Sequence, residues 1–212
     1  MGRPTPSWLY HFTHVDHVES IVRDGLVCDT TAQASGQLAH EVGNREVKER
    51  RRARVVDTAP GGVVADYVPF YFTARSLMLY QIHTGKVPSY RGGQNCLVYL
   101  CTTLERVVEL GLPWVASNRN ASTAIARFTA DLQVLDGHVD WPLATTSTFN
   151  RTPEDPERPR RHQAELLVHR RLPWEAVKFV GVRDRHVMSR VEATLVTLAH
   201  QPERDVRPDW YF

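Results

Sequence analysis

A single acidic residue lies in an otherwise apolar run near the end of the chain, in the segment QAELLV at 163–168. If this run is a strand, side-chain alternation places Glu165 on the face opposite Ala164 and Leu166. Burying an ionised carboxylate is costly unless a partner compensates it. Glu165 is therefore a candidate catalytic group that follows a long polar loop. The alternative is a strand-end glutamate that faces water.

Two clusters of basic residues give local positive charge to a chain whose formal net charge is only +2. The first lies within residues 45–54, and the second contains Arg158, Arg160 and Arg161. Stripes of this kind can hold a phosphate backbone even when the whole chain is nearly neutral. A solvated helix face is the alternative interpretation.

Three histidines, His11, His14 and His17, follow the spacing HxxHxxH. Zinc motifs place two histidines on one helix face and add a third ligand from elsewhere. Here the first histidine ends an aromatic strand and the second lies in the turn that follows, so we expect no metal site. His11 could hydrogen-bond a ribose hydroxyl or a phosphate in a cleft. A core histidine with satisfied hydrogen bonds is the alternative.

Several common motifs are absent from the sequence. It contains no GxxxxGK[ST], no GxGxxG and no GxSxG, which argues against a P-loop, a Rossmann site and a serine hydrolase elbow. Cys28, Cys96 and Cys101 form no CxxC pair, so we expect neither a disulfide framework nor a cysteine zinc site. We predict that these cysteines are small core residues.

The sequence contains strand-like and helix-like patterns that could position these residues. These patterns do not alternate regularly as βαβ units do. The predicted strands are 8–12, 67–72, 96–101, 164–168 and 177–182. One predicted helix follows a Thr13–Asp16 capping box and ends at Gly25, and a second follows a Ser76 cap. A third runs through Leu104, and two more cover 118–135 and 187–198. An irregular arm with a basic helix is predicted at 29–64 and a long polar loop at 144–162. This order predicts an α+β fold.

The length of 212 residues suits one domain, 1–212, with a substantial core. A composition of 42% hydrophobic and 24% charged residues is ordinary for a globular protein. The sequence has no apolar run of about 20 residues and no signal-peptide h-region at its N-terminus. We therefore expect a cytoplasmic location.

Several segments, taken in order, resemble the DarT family of DNA ADP-ribosyltransferase toxins. They are YHFTH at 10–14, VKERRR at 47–52, DYVPFYF at 66–72 with ARSLMLY at 74–80, WVASNRNA at 114–121 and RHQAELLV at 161–168. The VPFYF and ARSLMLY block is the most specific of them. The resemblance implies an ADP-ribosyltransferase fold, with a split, mostly antiparallel sheet around an NAD cleft and helices outside. The Ser-Thr-Ser of better-known transferases is replaced here by Phe-Tyr-Phe followed by Thr73.

The resemblance also implies catalytic and NAD-binding residues. Glu165 would be the catalytic glutamate and Arg51 the catalytic arginine, although Arg50 and Arg52 lie one residue away on either side. The residues that bind NAD, the co-substrate, would be His11, Thr13, Arg51 and Tyr71. His11 and Thr13 would hold the ribose and nicotinamide side, and Tyr71 would stack near the nicotinamide.

The implied acceptor is a ring nitrogen of thymine in a short motif of single-stranded DNA, and a guanine-modifying branch of the family also exists. Loop 144–162 would recognise the target. The expected DNA contacts are Arg75, Met78, Phe149, Arg158, Arg160 and Arg161. A macrodomain antitoxin that removes the modification is the expected partner.

Three alternatives differ in the acceptor or in activity. The same cleft and co-substrate could modify RNA, or the chain could be an inactive relative that only binds nucleic acid. The presence of both Glu165 and the arginine cluster argues against an inactive relative. A transferase that modifies proteins is the third alternative, and the basic clusters favour a nucleic-acid acceptor over a protein.

Overall fold

The fold is given by a computed structural model that describes residues 2–36 and 38–212. Its strands and helices are, in order, β1 (Trp8–His14), α1 (Val18–Asp24), β2 (Leu26–Val27), α2 (Asp29–Ala34), α3 (Arg45–Ala53), β3 (Tyr67–Tyr71), α4 (Leu77–His83), β4 (Leu97–Thr103), α5 (Leu104–Glu109), β5 (Trp114–Ser117), β6 (Phe128–Thr129), α6 (Leu132–His138), α7 (Trp141–Ala144), α8 (Arg158–His162), β7 (Glu165–His169), β8 (Arg171–Leu172), β9 (Phe179–Val182), α9 (Arg185–Leu195) and β10 (Glu203–Val206). Short 3-10 turns cover Val15–His17, Val64–Asp66, Trp174–Ala176 and Pro208–Trp210.

Most strands belong to one eight-stranded sheet with the order β10-β9-β4-β1-β3-β7-β5-β6. Its neighbouring strands are antiparallel, apart from the parallel pair β9 and β10. Strands β2 and β8 form a separate antiparallel pair. This topology confirms the predicted α+β fold with a mostly antiparallel sheet.

The sheet divides between β1 and β3. Strand β1 pairs with β4 along all seven of its residues, and β3 pairs with β7 along all five of its residues. Between β1 and β3, in contrast, the described residues form a single register pair, Tyr10 opposite Tyr71. The two strands therefore separate beyond this pair, and a cleft opens between the two halves of the sheet.

The central strand β4 explains why its segment of the sequence is continuously apolar. All of its residues are buried. Val98 and Leu100 join the main core cluster, whereas Leu97 and Tyr99 join a second cluster on the other face. A strand covered on both faces has no polar alternation, which is the pattern seen in the sequence.

The helix predicted for 118–135 is wrong in most of its length. Residues 118–127 form turns, Phe128–Thr129 is a strand, and a helix begins only at Leu132. Asn118 and Asn120 explain the difference, because their side-chain oxygens accept hydrogen bonds from the backbone N–H groups of Arg127 and Ser122. Such local bonds compete with helix formation.

The first turn of the chain also differs from its predicted cap. Thr13 lies within β1, and the side chain of His14 accepts the hydrogen bond from the backbone N–H of Asp16. The predicted Ser76 cap is confirmed, since Ser76 Oγ accepts from the backbone N–H of Leu79 at 3.2 Å. The structure also contains α2, β5 and β10, which the sequence patterns did not predict. In the described part of the chain, every helix is too short or too polar to span a lipid bilayer.

Candidate active site

A cavity lies where β1 and β3 separate. Five residues predicted from the sequence line it: His11 and Thr13 from β1, Tyr71 from β3, Arg51 from α3 and Met78 from α4. Residues 25–27 and 38–44 supply further parts of the wall. The structure therefore brings together side chains that are up to 67 positions apart in the sequence (Met78 − His11).

Glu165 does not line the cavity itself but contacts a residue that does, and it is only 1% exposed. Its Oε2 accepts a hydrogen bond from Arg51 Nη1 at 2.8 Å, and its Oε1 accepts from the backbone N–H of Ala121 at 3.0 Å. The alternative of a water-facing glutamate is therefore excluded. A carboxylate offers about four lone-pair sites, so each oxygen keeps the capacity to accept another donor.

Helix α3 determines which of the three consecutive arginines meets Glu165. Asn44 caps the helix by accepting hydrogen bonds from the backbone N–H groups of its first turn. Arg50 is exposed, and Arg52 forms ion pairs with Asp29 and Glu49. Arg51 alone of the three is paired with the carboxylate of Glu165.

The second guanidinium nitrogen of Arg51, Nη2, is buried and has no hydrogen-bond partner among the described residues. A buried charged donor without a partner is costly, and most such groups in folded proteins are satisfied. Arg51 also lines the cavity. This nitrogen is therefore a donor available to a ligand.

His11 presents an acceptor to the cavity. Its Nδ1 lies 2.8 Å from the carbonyl oxygen of Pro69, which can only accept, so Nδ1 carries the proton. Burial lowers the pKa of His11 to about 4, which keeps the ring neutral at physiological pH. Its Nε2 is consequently unprotonated and can accept a hydrogen bond from a hydroxyl group.

Thr13 presents a hydrogen-bond donor to the cavity, and a chain of hydrogen bonds fixes this role. The backbone N–H of His40 donates to His17 Nε2 at 3.1 Å, so a neutral His17 carries its proton on Nδ1. Burial and the neighbouring histidines lower the pKa of His17 to about 4. His17 Nδ1 then donates to Thr13 Oγ1 at 2.9 Å. The hydroxyl proton of Thr13 remains free to be donated to a ligand.

Tyr71 stands directly opposite Glu165 in the pairing of β3 with β7. Burial raises the pKa of its phenol well above the usual value, and the charge of Glu165 acts in the same direction. Tyr71 is therefore a neutral aromatic wall beside the carboxylate, as stacking against a nicotinamide ring would require.

Two of the predicted DNA contacts belong to an aromatic cluster at the other side of α4. Phe149 packs against Tyr80 and Phe212, with ring centroids 5.7 and 6.3 Å apart. The guanidinium of Arg75 lies 4.2 Å from the centroid of Phe212. Tyr80, Phe149 and Phe212 line a second pocket with residues of loop 144–162. Because α4 also carries Met78, it connects this pocket to the main cavity.

The three arginines of the second basic cluster lie on or at the start of the short helix α8 and already have partners. Arg158 contacts the carbonyl of Thr148, and Arg160 pairs with Glu157. Arg161 donates to Asp155, which raises its pKa. These side chains lie at the C-terminal end of segment 144–162, and among the described residues none of them lines the main cavity.

The chain also matches known proteins. The family model described as "ssDNA thymidine ADP-ribosyltransferase, DarT" matches residues 10–212. The chain belongs to the DarT family. A DNA ADP-ribosyl transferase of Thermus sp. strain 2.9 is 34% identical over 211 residues, which cover 99% of this chain and 98% of the relative. DarT relatives thus match almost the whole length of both chains.

Solved DarT structures share the fold. Thermus sp. 2.9 DarT in complex with ADP-ribosylated ssDNA superposes with a TM-score of 0.91 at 33% identity, covering 100% of this chain and 99% of that one. The complex of the same protein with NAD+ gives a TM-score of 0.85 at 32% identity, with 99% and 100% coverage. Thermosipho africanus DarTG in complex with ADP-ribose is 16% identical, with a TM-score of 0.77 over 97% of this chain and 51% of that chain, and it shows the fold alone.

Some residues of this DarT-family site were not predicted as functional. The amide of Ala121 holds Glu165, and Ser117 Oγ accepts a hydrogen bond from the backbone N–H of Glu165 at 3.1 Å. Both lie in the segment WVASNRNA that contributes to the family resemblance, which was the available signal. His17, which contacts Thr13, and His40, which contacts His17, both lie outside the segments that carry the resemblance.

Proposed function

We propose that this chain, as one domain, transfers ADP-ribose from NAD to a thymine ring nitrogen in single-stranded DNA. The bond between ribose C1′ and the nicotinamide nitrogen breaks, and nicotinamide leaves with the electron pair. A new bond joins C1′ to the thymine nitrogen, which loses its proton. The observation that carries the proposal is Glu165, a buried carboxylate held by Arg51 beside a cavity that offers an unsatisfied guanidinium donor.

The cavity fits the ribose and nicotinamide end of NAD. His11 Nε2 would accept a hydrogen bond from a ribose hydroxyl, and the Thr13 hydroxyl would donate to an acceptor such as the nicotinamide carbonyl. These roles follow from the hydrogen bonds that fix both side chains at 2.8 and 2.9 Å. Tyr71 would cover the nicotinamide ring. The complex of Thermus sp. 2.9 DarT with NAD+ supports this co-substrate.

Glu165 would act on the reacting sugar. Positive charge develops on the ribose as the glycosidic bond breaks, and a fixed carboxylate stabilises that charge in a water-poor site. The remaining lone pairs of Glu165 could also accept a hydrogen bond from the 2′-hydroxyl and orient the sugar. Its two existing hydrogen bonds hold the carboxylate in place, so little reorganisation accompanies the reaction.

Two roles are open to Arg51, which could neutralise the NAD diphosphate or polarise a carbonyl of the target base. We favour the second role. Arg51 Nη1 is held 2.8 Å from Glu165, which keeps the guanidinium at the reacting sugar rather than at the diphosphate. Nη2 could then hydrogen-bond the base carbonyl and facilitate loss of the ring-nitrogen proton.

The acceptor strand would lie across α4 and the loop before α8. A base must be unstacked to present its ring nitrogen, which is easiest in single-stranded DNA. Met78 lines the cavity, and Phe149 lines the aromatic pocket. Arg75 lies over Phe212, and Arg158 bonds the carbonyl of Thr148, both of which line that pocket. Stacking on aromatic side chains and contacts of arginines with phosphates are the usual means of holding single strands. The Thermus DarT complex with ADP-ribosylated ssDNA supports this acceptor.

We further propose that the protein is the toxin of a toxin–antitoxin pair and that its partner is a macrodomain that removes the modification. This chain spans 51% of the Thermosipho africanus DarTG chain, which leaves room in that protein for a second unit. An unopposed DNA modifier would damage the cell that makes it. Co-expression with a candidate macrodomain, followed by analysis of chromosomal DNA for the adduct, tests this partnership.

The test of activity is mass spectrometry of mixed-sequence oligonucleotides after incubation with NAD. We expect an adduct with the mass of ADP-ribose on thymine, with release of nicotinamide, and no adduct with the isosteric variant Glu165→Gln. Parallel DNA and RNA pools identify the acceptor, and fragmentation separates thymine from guanine. An adduct confined to RNA or guanine would overturn the thymine assignment. Full activity of Glu165→Gln would remove Glu165 from the reaction.

A further inference from the structure

Three side chains with metal-binding atoms converge at the end of β1: His14, Asp16 and His40. Their ligand atoms all lie within 4.8 Å of one another. Asp16 Oδ2 is 2.8 Å from His40 Nε2 and 3.3 Å from His14 Nδ1. His14 is the last residue of β1, Asp16 lies in the turn that follows, and His40 comes from the 38–44 segment of the cavity wall.

We propose that His14, Asp16 and His40 form a binding site for a divalent transition metal, with Zn²⁺ as the best match. Two imidazole nitrogens and one carboxylate oxygen are a ligand set that zinc uses, with further positions left for water. Magnesium and calcium prefer sites built from oxygen ligands. The donor set therefore selects a metal of the zinc class.

Neighbouring residues orient the proposed ligands. Arg190 binds Asp16 Oδ1, which leaves Oδ2 directed at the two histidines. His17 Nε2 accepts the backbone N–H of His40, which holds the 38–44 segment over the turn. Outer partners of this kind normally fix the ligands of metal sites. The rings of His14 and His40 already lie close together, with centroids 3.8 Å apart and planes tilted by 39°. His14 Nδ1 accepts a 3.3 Å hydrogen bond from the backbone N–H of Asp16, which a metal on that nitrogen would replace.

This site differs from the HxxHxxH motif that the sequence suggested. His11 is bonded to Pro69 and His17 to Thr13, so only the middle histidine of the motif takes part. His40 lies 26 positions after His14 (40 − 14), in an arm without regular spacing. His40 lies outside the HxxHxxH spacing, so the motif alone predicts no metal site.

A metal here would join the end of β1 to the arm that leads into α3. The 38–44 segment ends at Asn44, which caps the helix that carries Arg51. Without metal, the contact between Asp16 and His40 uses a proton on Nε2, and metal binding replaces that proton. The metal would therefore restrain the arm beside the cavity without touching Glu165.

The binding test uses the full chain without a histidine tag, after treatment with a chelator. Calorimetry with ZnCl₂ should show one equivalent bound, and CoCl₂ should produce ligand-field absorption bands that Zn²⁺ abolishes. His40→Gln and Asp16→Asn should each weaken binding by about tenfold or more. His186→Gln, which removes an exposed histidine, is the matched control and should bind like the wild type. MgCl₂ should give no binding.

Restraint of the arm is measured separately, by hydrogen exchange. Addition of Zn²⁺ should slow exchange of the 38–44 amides in the wild type and leave it unchanged in His40→Gln. Circular dichroism verifies that both variants are folded, and Asp16→Asn provides the second test if His40→Gln unfolds. Absence of Zn²⁺ binding by the wild type, or binding by His40→Gln and Asp16→Asn as tight as that of the wild type, overturns the site. Binding without slower exchange overturns the restraint of the arm. Neither result bears on the proposed transferase activity, which the oligonucleotide adduct assay tests separately.

Discussion

Replacing Arg51 with Met, Glu165 with Gln, and both together should reveal strong coupling between these two residues in the free energy of unfolding. In the folded protein their side chains are 13% and 1% exposed and lie 2.8 Å apart. The two substitutions keep most of the side-chain volume and remove the charges. A double-mutant cycle therefore isolates the ion pair from the packing around it.

The expected magnitudes follow from what each variant leaves behind. Arg51→Met leaves the carboxylate of Glu165 with the Ala121 amide as its remaining partner among the described residues, and we expect a loss of about 3–5 kcal/mol. Glu165→Gln keeps an acceptor for that amide and removes the charge, with a loss of about 1–2 kcal/mol. The double variant contains neither charge and should lose about 2 kcal/mol. The coupling energy is then about 2–5 kcal/mol.

Urea denaturation without NAD, followed by tryptophan fluorescence and circular dichroism, measures these differences if the unfolding slope stays constant. Arg50→Met is the control, because Arg50 is an exposed neighbour on the same helix and its loss should change stability by less than about 0.5 kcal/mol. Additivity of the two single substitutions within about 0.5 kcal/mol would refute the ion pair in solution. A loss in Arg50→Met as large as in Arg51→Met would mean that the helix register is wrong.

Three further predictions concern other parts of the molecule. Folding lowers the pKa of His17 from 6.5 to about 4, so the unfolded state takes up the proton first as the pH falls. The free energy of unfolding should therefore fall as the pH drops from about 6.5 to 4, by at most about 3 kcal/mol. His17→Gln should flatten this part of the stability profile measured by urea denaturation. Gly25→Ala should destabilise the protein by about 1–3 kcal/mol in the same assay. Gly25 has a φ of +82°, and a Cβ there would lie 2.9 Å from the carbonyl oxygen of Leu172. Gly85→Ala is the control and should cost less, because a Cβ at Gly85 meets nothing within 4 Å. Replacing Arg158 and Arg160 with Gln should weaken oligonucleotide binding. The slope of the logarithm of the binding constant against the logarithm of the salt concentration should become shallower by about 0.7 per lost phosphate contact. An unchanged slope in a fluorescence-anisotropy titration would show that these arginines do not contact the DNA.

Local patterns predicted the strands that carry the site. The apolar-aromatic runs at 8–12 and 67–72 and the acid within 164–168 correspond to β1, β3 and β7. These segments lie in the middle of the sheet, where burial on both faces leaves a clear hydrophobic signal. Residue pattern and structure therefore agree best where tertiary packing reinforces the local preference.

The same patterns could not give the contacts between distant segments. Nothing local shows that the amide of Ala121 meets Glu165, 44 positions away, or that α3 directs Arg51 rather than Arg50 to that carboxylate. The failed helix at 118–135 has the same origin. Its apolar spacing fits a helix, but Ala116 pairs with Thr129 and Ser117 with Phe128, which draws the segment into the sheet. Pairing between strands outweighed the local preference.

Arg51 does not belong to the sheet, so the site forms only when the arm at 29–64 packs against the sheet. Glu165 belongs to β7, whereas Arg51 belongs to α3, which contains no fully buried residue. Helix α3 is held by ion pairs instead, since Asp29 contacts Lys48 Nζ at 2.6 Å and Arg52 Nη2 at 2.9 Å. Asp29, at the start of α2, therefore holds the helix that carries Arg51 through these two ion pairs. The electrostatic interactions that hold the arm therefore also set the distance between Arg51 and Glu165, on which the proposed chemistry depends.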